Sequence, residues 1–355
     1  MITETRLWLT ASADIPDLKK RRKDLEIKPE FVNGRFVNSP PRLFTRRRNR
    51  WSLLGEMMMN KKQRIPNPPP AQQQLQGECL RGAGESLRVT WLGHSSVAIE
   101  IDGQLVLVDP MFSRRASPLP FIGPKRFNRR PAVMPRELPF VHGVIISHDH
   151  YDHLDKWSVK QLKNKVGMFH VPLNVGRHLA RWGVPREKIR EYSWWDSWQG
   201  KAGPEFIAAP GQHFSGRGLY RNNTLWASWV IRGSRHRVFI SGDGGYWPAF
   251  GEIGRRYGPF DVTLMECGQY NESWAHVHLM PEETVQAHID VGGKILVPVH
   301  WGSFSISLHS WTEPVERLTA AAELRGVTVA LPPIGGQFVF GQPLPQERWW
   351  ENGQA

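Results

Sequence analysis

Four side chains of the types that can bind divalent metal ions occur within six residues of this sequence, at His148, His150, Asp152 and His153. They follow a short apolar stretch that is typical of a buried strand, so their loop is expected at one end of a sheet. Imidazole nitrogen and carboxylate oxygen suit zinc and similar divalent ions. Because four such groups on one short loop cannot reach a single tetrahedral ion without strain, two neighbouring ions are the natural arrangement. A histidine-rich polar turn without metal is the alternative interpretation.

Three further candidate ligands, His213, Asp243 and His300, each come shortly after another apolar stretch. A single histidine or aspartate in such a position is usually structural. Three of them at strand ends, together with the histidine loop, predict one shared metal centre. Asp243 lies within Ser-Gly-Asp-Gly-Gly, where small residues let the backbone approach an ion.

The elements that must position these residues form a layered α/β pattern. Three strands are predicted at the start of the compact region, with Asp102-Gly103 as a hairpin turn between the second and the third. The predicted strands are 88–92, 97–101, 104–108, 143–147, 205–209, 225–231, 238–241, 261–265 and 294–299, and the predicted helices are 155–162, 248–257, 281–289 and 313–324. Strands that first form hairpins and later alternate with helices indicate sheets with helices on their outer faces.

The positive charge of the chain is concentrated near its start. The 355 residues carry a net charge of +13, and residues 1–86 hold 17 Lys and Arg against 9 Asp and Glu. This segment is also broken by prolines, so we divide the chain into a basic, extended segment, 1–86, and a catalytic domain, 87–355. A basic arm is either simply solvated or docks on an anionic membrane or nucleic acid.

Several classes of protein are excluded by the composition. With 40% hydrophobic and 22% charged residues, the chain is neither disordered nor collagen-like. No apolar run approaches the 18 residues of a membrane-spanning helix. The first residues lack the apolar core of a signal peptide, and the two cysteines allow at most one disulfide, so we expect a cytoplasmic protein, with peripheral membrane contact as the alternative.

The arrangement of these motifs resembles the metallo-β-lactamase fold of binuclear hydrolases, and within it the branch of N-acylphosphatidylethanolamine-hydrolysing phospholipases D. The resemblance covers roughly residues 85–325. It is carried by residues 89–94, Asp109-Pro110, 115–118, 123–127, 147–155, 241–246, 278–283 and 300–304. It implies a four-layer αββα sandwich that follows the basic, proline-broken N-terminal extension.

The resemblance also implies roles for individual residues. One zinc ion would be bound by His148, His150 and His213, and a second by Asp152, His153 and His300. Asp243 would bridge the two ions, which share a hydroxide that attacks the substrate. Asp152 would orient this hydroxide or take its proton. The resemblance places Asp152, Asp243 and His278 among the catalytic residues, and His278 also in contact with the substrate. A surface histidine near the start of a helix is the alternative for His278.

Other residues have two interpretations each. Arg217 is a candidate phosphate contact, but basic loops are often merely solvated. Asp109 either holds a ligand histidine in place or caps a turn. His94 is expected to be a buried hydrogen-bonding residue, and Cys267 is expected in the core.

The predicted activity is a zinc-dependent phosphodiesterase of phospholipase D type, acting on N-acylphosphatidylethanolamine or a related glycerophospholipid. A lactonase or other ester hydrolase with the same metal centre is the first alternative. A nucleic-acid phosphodiesterase is less favoured, because residues 1–86 are too short and too broken for a strand-gripping domain. Pro120-Phe121 replaces a Gln-Tyr pair of the phospholipase branch, which puts the exact lipid in question. The expected partners are a phospholipid substrate and an anionic membrane surface, and a homodimer is compatible with the sequence.

Overall fold

The computed structural model describes residues 27–38, 61–81, 84, 86–218 and 220–351. The two basic runs of the N-terminal segment, 19–23 and 46–48, lie outside these residues. The division of the chain at residue 86 stays a prediction.

The strands of the described residues form one hairpin and two seven-stranded sheets. The hairpin consists of β1 (Glu30–Val32) and β2 (Arg35–Val37). The first sheet consists of β3 (Arg88–Gly93), β4 (Ser96–Ile101), β5 (Gln104–Val108), β6 (Val141–Ile145), β7 (Val166–Pro172), β8 (Ile189–Tyr192) and β16 (Gln337–Val339). The second sheet consists of β9 (Ser197–Gln199), β10 (Glu205–Ala209), β11 (Ser228–Arg232), β12 (Arg237–Ile240), β13 (Phe260–Glu266), β14 (Gly293–Val299) and β15 (Thr328–Val329).

Both sheets change from antiparallel to parallel pairing along their width. The first runs β16-β3-β4-β5-β6-β7-β8 and is parallel from β5 to β8, while the second runs β15-β14-β13-β12-β11-β10-β9 and is parallel from β12 to β15. Val108 pairs with Ile145, and Glu266 pairs with Val299. Because parallel strands end at the same edge of a sheet, the loops that follow them emerge side by side.

The two sheets pack face to face around one continuous core. The ring of His170 on β7 stacks on Phe206 of β10 with 4.0 Å between centroids. Trp229 of β11 donates from its indole nitrogen to the carbonyl of Ile146, just beyond β6. Every residue of β13 is buried, as expected for a strand that is covered on both faces.

Six α-helices accompany the sheets within the described residues, and their ends follow capping rules. They are α1 (Lys61–Arg64), α2 (Lys156–Leu162), α3 (Gly176–Arg181), α4 (Ala249–Tyr257), α5 (Pro281–Val291) and α6 (Glu313–Leu324). The side chain of Asp155 accepts hydrogen bonds from the first turn of α2, and Gly292 ends α5 in the left-handed conformation. None of the described helices has the length and hydropathy needed to span a bilayer. The predicted α/β fold with two central sheets and flanking helices is confirmed.

The described parts of residues 1–86 pack on the body of the protein. Phe36 of β2 is buried, and its backbone nitrogen donates to the carbonyl of Asn222. The guanidinium of Arg64 is buried against the carbonyl of Ser307. The hairpin and α1 are therefore held against the same domain that carries the candidate ligands.

Candidate metal centre

The loop that carries the four clustered ligands is fixed at both ends. It leaves the buried strand β6 at Ile145 and enters α2 through the cap at Asp155. Within it, His148 Nε2 lies 2.8 Å from His150 Nδ1. His153 is completely buried, while Asp152 keeps a partly exposed carboxylate.

The structure brings all seven predicted ligands together. His213 follows β10, Asp243 follows β12 and His300 directly follows β14. One group of metal-binding atoms comes from His148, His150, His213 and Asp243, and a second from His94, Asp152, His153 and His300; within each group these atoms lie within 4.8 Å of one another. Each group contains one of the ligand triads predicted from the sequence, with His94 as an additional neighbour. A third group, formed by Asp243, Glu266, His278 and His300, shares Asp243 with the first and His300 with the second. The assignment of each residue to an ion stays a prediction.

Asp243 lies between the two groups. Its Oδ2 is 3.1 Å from His153 Nε2 and 3.4 Å from His300 Nε2, and 3.8 Å from His148 Nε2 and 3.9 Å from His213 Nε2. Its Oδ1 is buried and accepts no hydrogen bond from any described residue. A buried carboxylate oxygen without a donor is costly, so this orphaned atom fits a bound cation.

The outer ring nitrogens of the histidines are held by fixed partners. His153 Nδ1 donates to Asp109 Oδ2 over 2.8 Å, His213 Nδ1 donates to the carbonyl of Val277 over 2.8 Å, and His148 Nδ1 lies 2.9 Å from Ser147 Oγ. This leaves Nε2 of each ring directed at the centre. Metal-binding histidines are typically oriented in this way.

Burial and charge set the protonation of the ligands. Burial lowers the pKa of His148 and His213 well below its ordinary value and that of His150 to about 4. These rings are therefore neutral imidazoles, the form that binds metal ions. For His300, burial is outweighed by the neighbouring carboxylates, above all Asp243, which raise its pKa to about 10. The carboxylates around His300 therefore favour a positive charge at this position, either a proton or a metal ion. The donor set as a whole fits divalent ions.

Asp109 is the anchor of the histidine loop. Its Oδ1 accepts from the backbone nitrogen of Ser147 over 2.8 Å, and its Oδ2 accepts from Ser147 Oγ over 2.6 Å as well as from His153. Of its two predicted roles, the contact with a ligand histidine is the one that the structure shows.

Glu266, the last residue of β13, was not identified from the sequence. It is completely buried, and its Oε2 accepts from His278 Nδ1 over 2.7 Å and lies 3.4 Å from His300 Nδ1. Its Oε1 accepts from the backbone nitrogens of Gly244 and Leu279. A carboxylate at the end of a mostly apolar strand is the signal in the sequence that could have identified this residue.

The remaining candidates differ in their placement. His278 lines the cleft above the centre, with its ring 5.4 Å from that of His300. Arg217 donates instead to the carbonyls of Asp149 and Leu154 in the histidine loop, so its geometry favours a structural role, and its substrate contact stays a prediction. Cys267 lies in the core, where burial raises the pKa of its thiol well above its ordinary value.

His94 forms the expected buried hydrogen bond. Its Nε2 donates to Asp152 Oδ2 over 3.0 Å, and burial lowers its pKa to about 3, so the ring is neutral. Its carbonyl accepts from the backbone nitrogen of His300, which has a left-handed φ of 67°. His94 thus joins the Asp152 loop to the end of β14.

A cleft of about 700 Å³ lies above the centre. Its walls combine two arginines, Arg35 from β2 and Arg221, with an apolar portion. The apolar wall is formed by Val37, Phe214, Trp274, Val277 and Ile306. The cleft therefore fits a substrate that has an anionic part and an apolar part.

Comparison with known proteins places this site in a family. The family model described as "Beta-lactamase superfamily domain" matches residues 104–301. An uncharacterised protein of Mycobacterium tuberculosis is 45% identical over 339 residues, which cover 92% of this chain and 88% of that protein. N-acyl-phosphatidylethanolamine-hydrolyzing phospholipase D 1 of Caenorhabditis elegans is 32% identical over 254 residues, which cover 67% of this chain and 70% of that protein.

A solved structure supports the fold independently of close sequence similarity. Igni18, a metallo hydrolase of Ignicoccus hospitalis, superimposes with a TM-score of 0.54 at 17% identity and covers 73% of this chain and 100% of its own. At this level of identity the superposition shows that the two proteins share a fold. The chain belongs to the beta-lactamase superfamily and is a metal-dependent hydrolase of the metallo-β-lactamase fold.

Proposed function

We propose that this protein is a zinc-dependent phosphodiesterase of phospholipase D type that hydrolyses N-acylphosphatidylethanolamine or a related glycerophospholipid. The observation that carries the proposal is the cleft: side chains from two groups of candidate metal ligands lie at its floor, and its walls are partly cationic and partly apolar. The similarity to the C. elegans phospholipase supports the same substrate class.

The floor of the cleft supplies the groups that the hydrolysis needs. Two divalent ions bound there would lower the pKa of water and polarise the phosphoryl oxygen. Asp152 faces the cleft with a partly exposed carboxylate and is suited to orient the attacking water and accept its proton. His278 donates from Nδ1 to Glu266, so in the neutral ring its Nε2 carries a lone pair and can accept a hydrogen bond from a hydroxyl or N–H group of the substrate.

The walls of the cleft favour a lipid phosphodiester. Arg35 and Arg221 lie at the wall of the cleft, and within the described residues no ion pair neutralises either guanidinium. Their charge attracts a phosphodiester anion and disfavours a neutral ester by comparison. The aromatic rings of Phe214 and Trp274 offer an apolar surface for an acyl chain.

A panel of substrates tests the proposal. The metal-loaded protein is incubated with N-acylphosphatidylethanolamine in mixed micelles, an N-acyl homoserine lactone and a short RNA, and products are identified by mass spectrometry. We expect phosphatidic acid and N-acylethanolamine from the lipid. Arg221→Gln should raise KM for the lipid several-fold with a smaller effect on kcat, because it removes wall charge only.

The other substrates provide the contrary outcomes. Rapid lactone hydrolysis without lipid turnover would replace the proposal with the ester hydrolase. RNA cleavage that exceeds lipid turnover would replace it with a nuclease. Asp243→Asn is the control for contaminating hydrolases and should abolish every activity that belongs to this site.

A further inference from the structure

A loop outside the cleft exposes large apolar side chains. Leu119, Phe121 and Ile122 are 45%, 69% and 57% exposed, and all residues from 118 to 123 are exposed. Isolated exposed hydrophobic residues are common on protein surfaces, but three within four positions form a patch.

The base of this loop holds the patch away from the body. The backbone nitrogen of Ala116 donates to the carbonyl of Pro124, and that of Arg126 donates to the carbonyl of Arg114. Arg115 also donates from Nη1 to the carbonyl of Gly123 over 2.6 Å. The loop is thus closed at its base by a short antiparallel ladder, and residues 118–123 form its tip.

The cationic residues that flank the tip along the chain form its collar. Residues 111–134 contain six Lys and Arg and no Asp or Glu. Of these cations Arg126 is buried, whereas Lys125, Arg129 and Arg130 are exposed. An apolar tip within a collar of cations matches the interface of an anionic bilayer, where acyl chains lie beneath phosphate groups.

The loop is also joined to the metal centre. The guanidinium of Arg126 lies 4.8 Å above the ring of Phe304, and that ring makes an edge contact with His94 at 5.2 Å. His94 in turn donates to Asp152. Side-chain contacts therefore connect the base of the loop to the metal centre.

We propose that residues 118–123 insert into the surface of an anionic lipid bilayer, with Lys125, Arg129 and Arg130 contacting its phosphates. The charge of the collar argues for an anionic surface. The six-residue tip is far smaller than the roughly 20–30 residues that each partner contributes to a specific protein interface. The inference goes beyond the proposed function, because a hydrolase of soluble esters with this loop would bind the same vesicles.

Vesicle co-sedimentation of the full chain tests this inference. Wild-type protein should bind phosphatidylcholine vesicles that contain phosphatidylglycerol and bind pure phosphatidylcholine vesicles much more weakly. The double variant Phe121→Asp, Ile122→Asp should bind the anionic vesicles at least roughly tenfold more weakly, because it removes the apolar tip and repels the lipid phosphates. Leu324→Asp is the matched control, since Leu324 is 85% exposed at the end of α6, and it should bind like the wild type.

A second variant separates charge from insertion. Lys125→Gln, Arg129→Gln, Arg130→Gln should weaken binding to anionic vesicles by roughly 100-fold, and high salt should weaken wild-type binding similarly. Melting temperatures verify that each variant is folded. Unchanged vesicle binding by the Phe121, Ile122 variant would overturn the inference. A wild-type protein that does not bind anionic vesicles would also overturn the inference. The proposed function would still be supported if that protein cleaved the lipid in detergent micelles.

Discussion

Asp109→Asn isolates the contribution of the residue that anchors the histidine loop. The carboxylate accepts three hydrogen bonds, from Ser147 N, Ser147 Oγ and His153 Nδ1. Asparagine has the same shape but only one acceptor oxygen, so its amide group faces at least one donor in either orientation. Backbone strain does not interfere, because asparagine tolerates the left-handed φ of 40° at this position.

The expected magnitude follows from these contacts. Hydrogen bonds to a charged acceptor contribute about 1.5–3 kcal/mol each. Loss of the partner of a metal-binding histidine typically costs about 10–100-fold in metal affinity, or about 1.4–2.7 kcal/mol. We expect a decrease of this size for the ion bound by His153. A smaller decrease is expected for the other ion, because Ser147 Oγ also contacts His148.

The assay is a titration of metal-free protein with zinc in competition with a chromophoric chelator. Asp102→Asn is the matched control: Asp102 also has a left-handed φ, of 51°, and its carboxylate also accepts from a serine, Ser234, at both its backbone nitrogen and its hydroxyl. It belongs to neither ligand group. The control should bind zinc like the wild type. Two zinc affinities within twofold of the wild type in a folded Asp109→Asn protein would refute the assigned role.

Five other substitutions have expected outcomes. Glu266→Gln keeps the shape of the side chain, but its amide NH₂ group would face one of the N–H groups that now donate to the carboxylate. Steady-state kinetics should show kcat reduced about 10–100-fold with little change in KM. Gly245→Ala places Cβ at 2.3 Å from a backbone oxygen and should cost about 1–3 kcal/mol in chemical unfolding, whereas Gly251→Ala in α4 meets nothing within 4 Å and should be neutral or slightly stabilising. Asp243→Asn should lower the metal content measured by elemental analysis, and Cys267→Ser should leave it unchanged; the opposite pattern would invalidate the ligand assignment.

The ligand groups were predictable because their positions depend on strand ends. The apolar runs before Asp109, His148, Asp243 and His300 are buried parallel strands, and such strands align their carboxyl ends at one edge. Residue type and strand order were therefore enough to bring these side chains together. The hairpin β4–β5 was predictable for a similar reason, since Asp102-Gly103 selects a tight turn.

Other features depend on tertiary contacts that a single sequence does not express. Glu266 continues a strand pattern, and its role arises from backbone donors of two loops that are distant in sequence. Arg217 is of a residue type that often contacts phosphate, but its guanidinium donates hydrogen bonds to backbone carbonyls of the histidine loop. Strand β7 is interrupted by Gly167 and His170, and β8 and β9 are short and partly polar, so these three strands were not predicted. Pairing with neighbouring strands stabilises them.

The central claim, a centre of two divalent ions, is tested most directly by anomalous diffraction from crystals grown with zinc. Data on both sides of the zinc absorption edge should give two peaks roughly 3.5–4 Å apart. One peak should lie at about 2.0–2.1 Å from the ring nitrogens of His148, His150 and His213, and the other at a similar distance from His153 and His300. A single peak, or a peak centred between Glu266 and His278, would contradict the account.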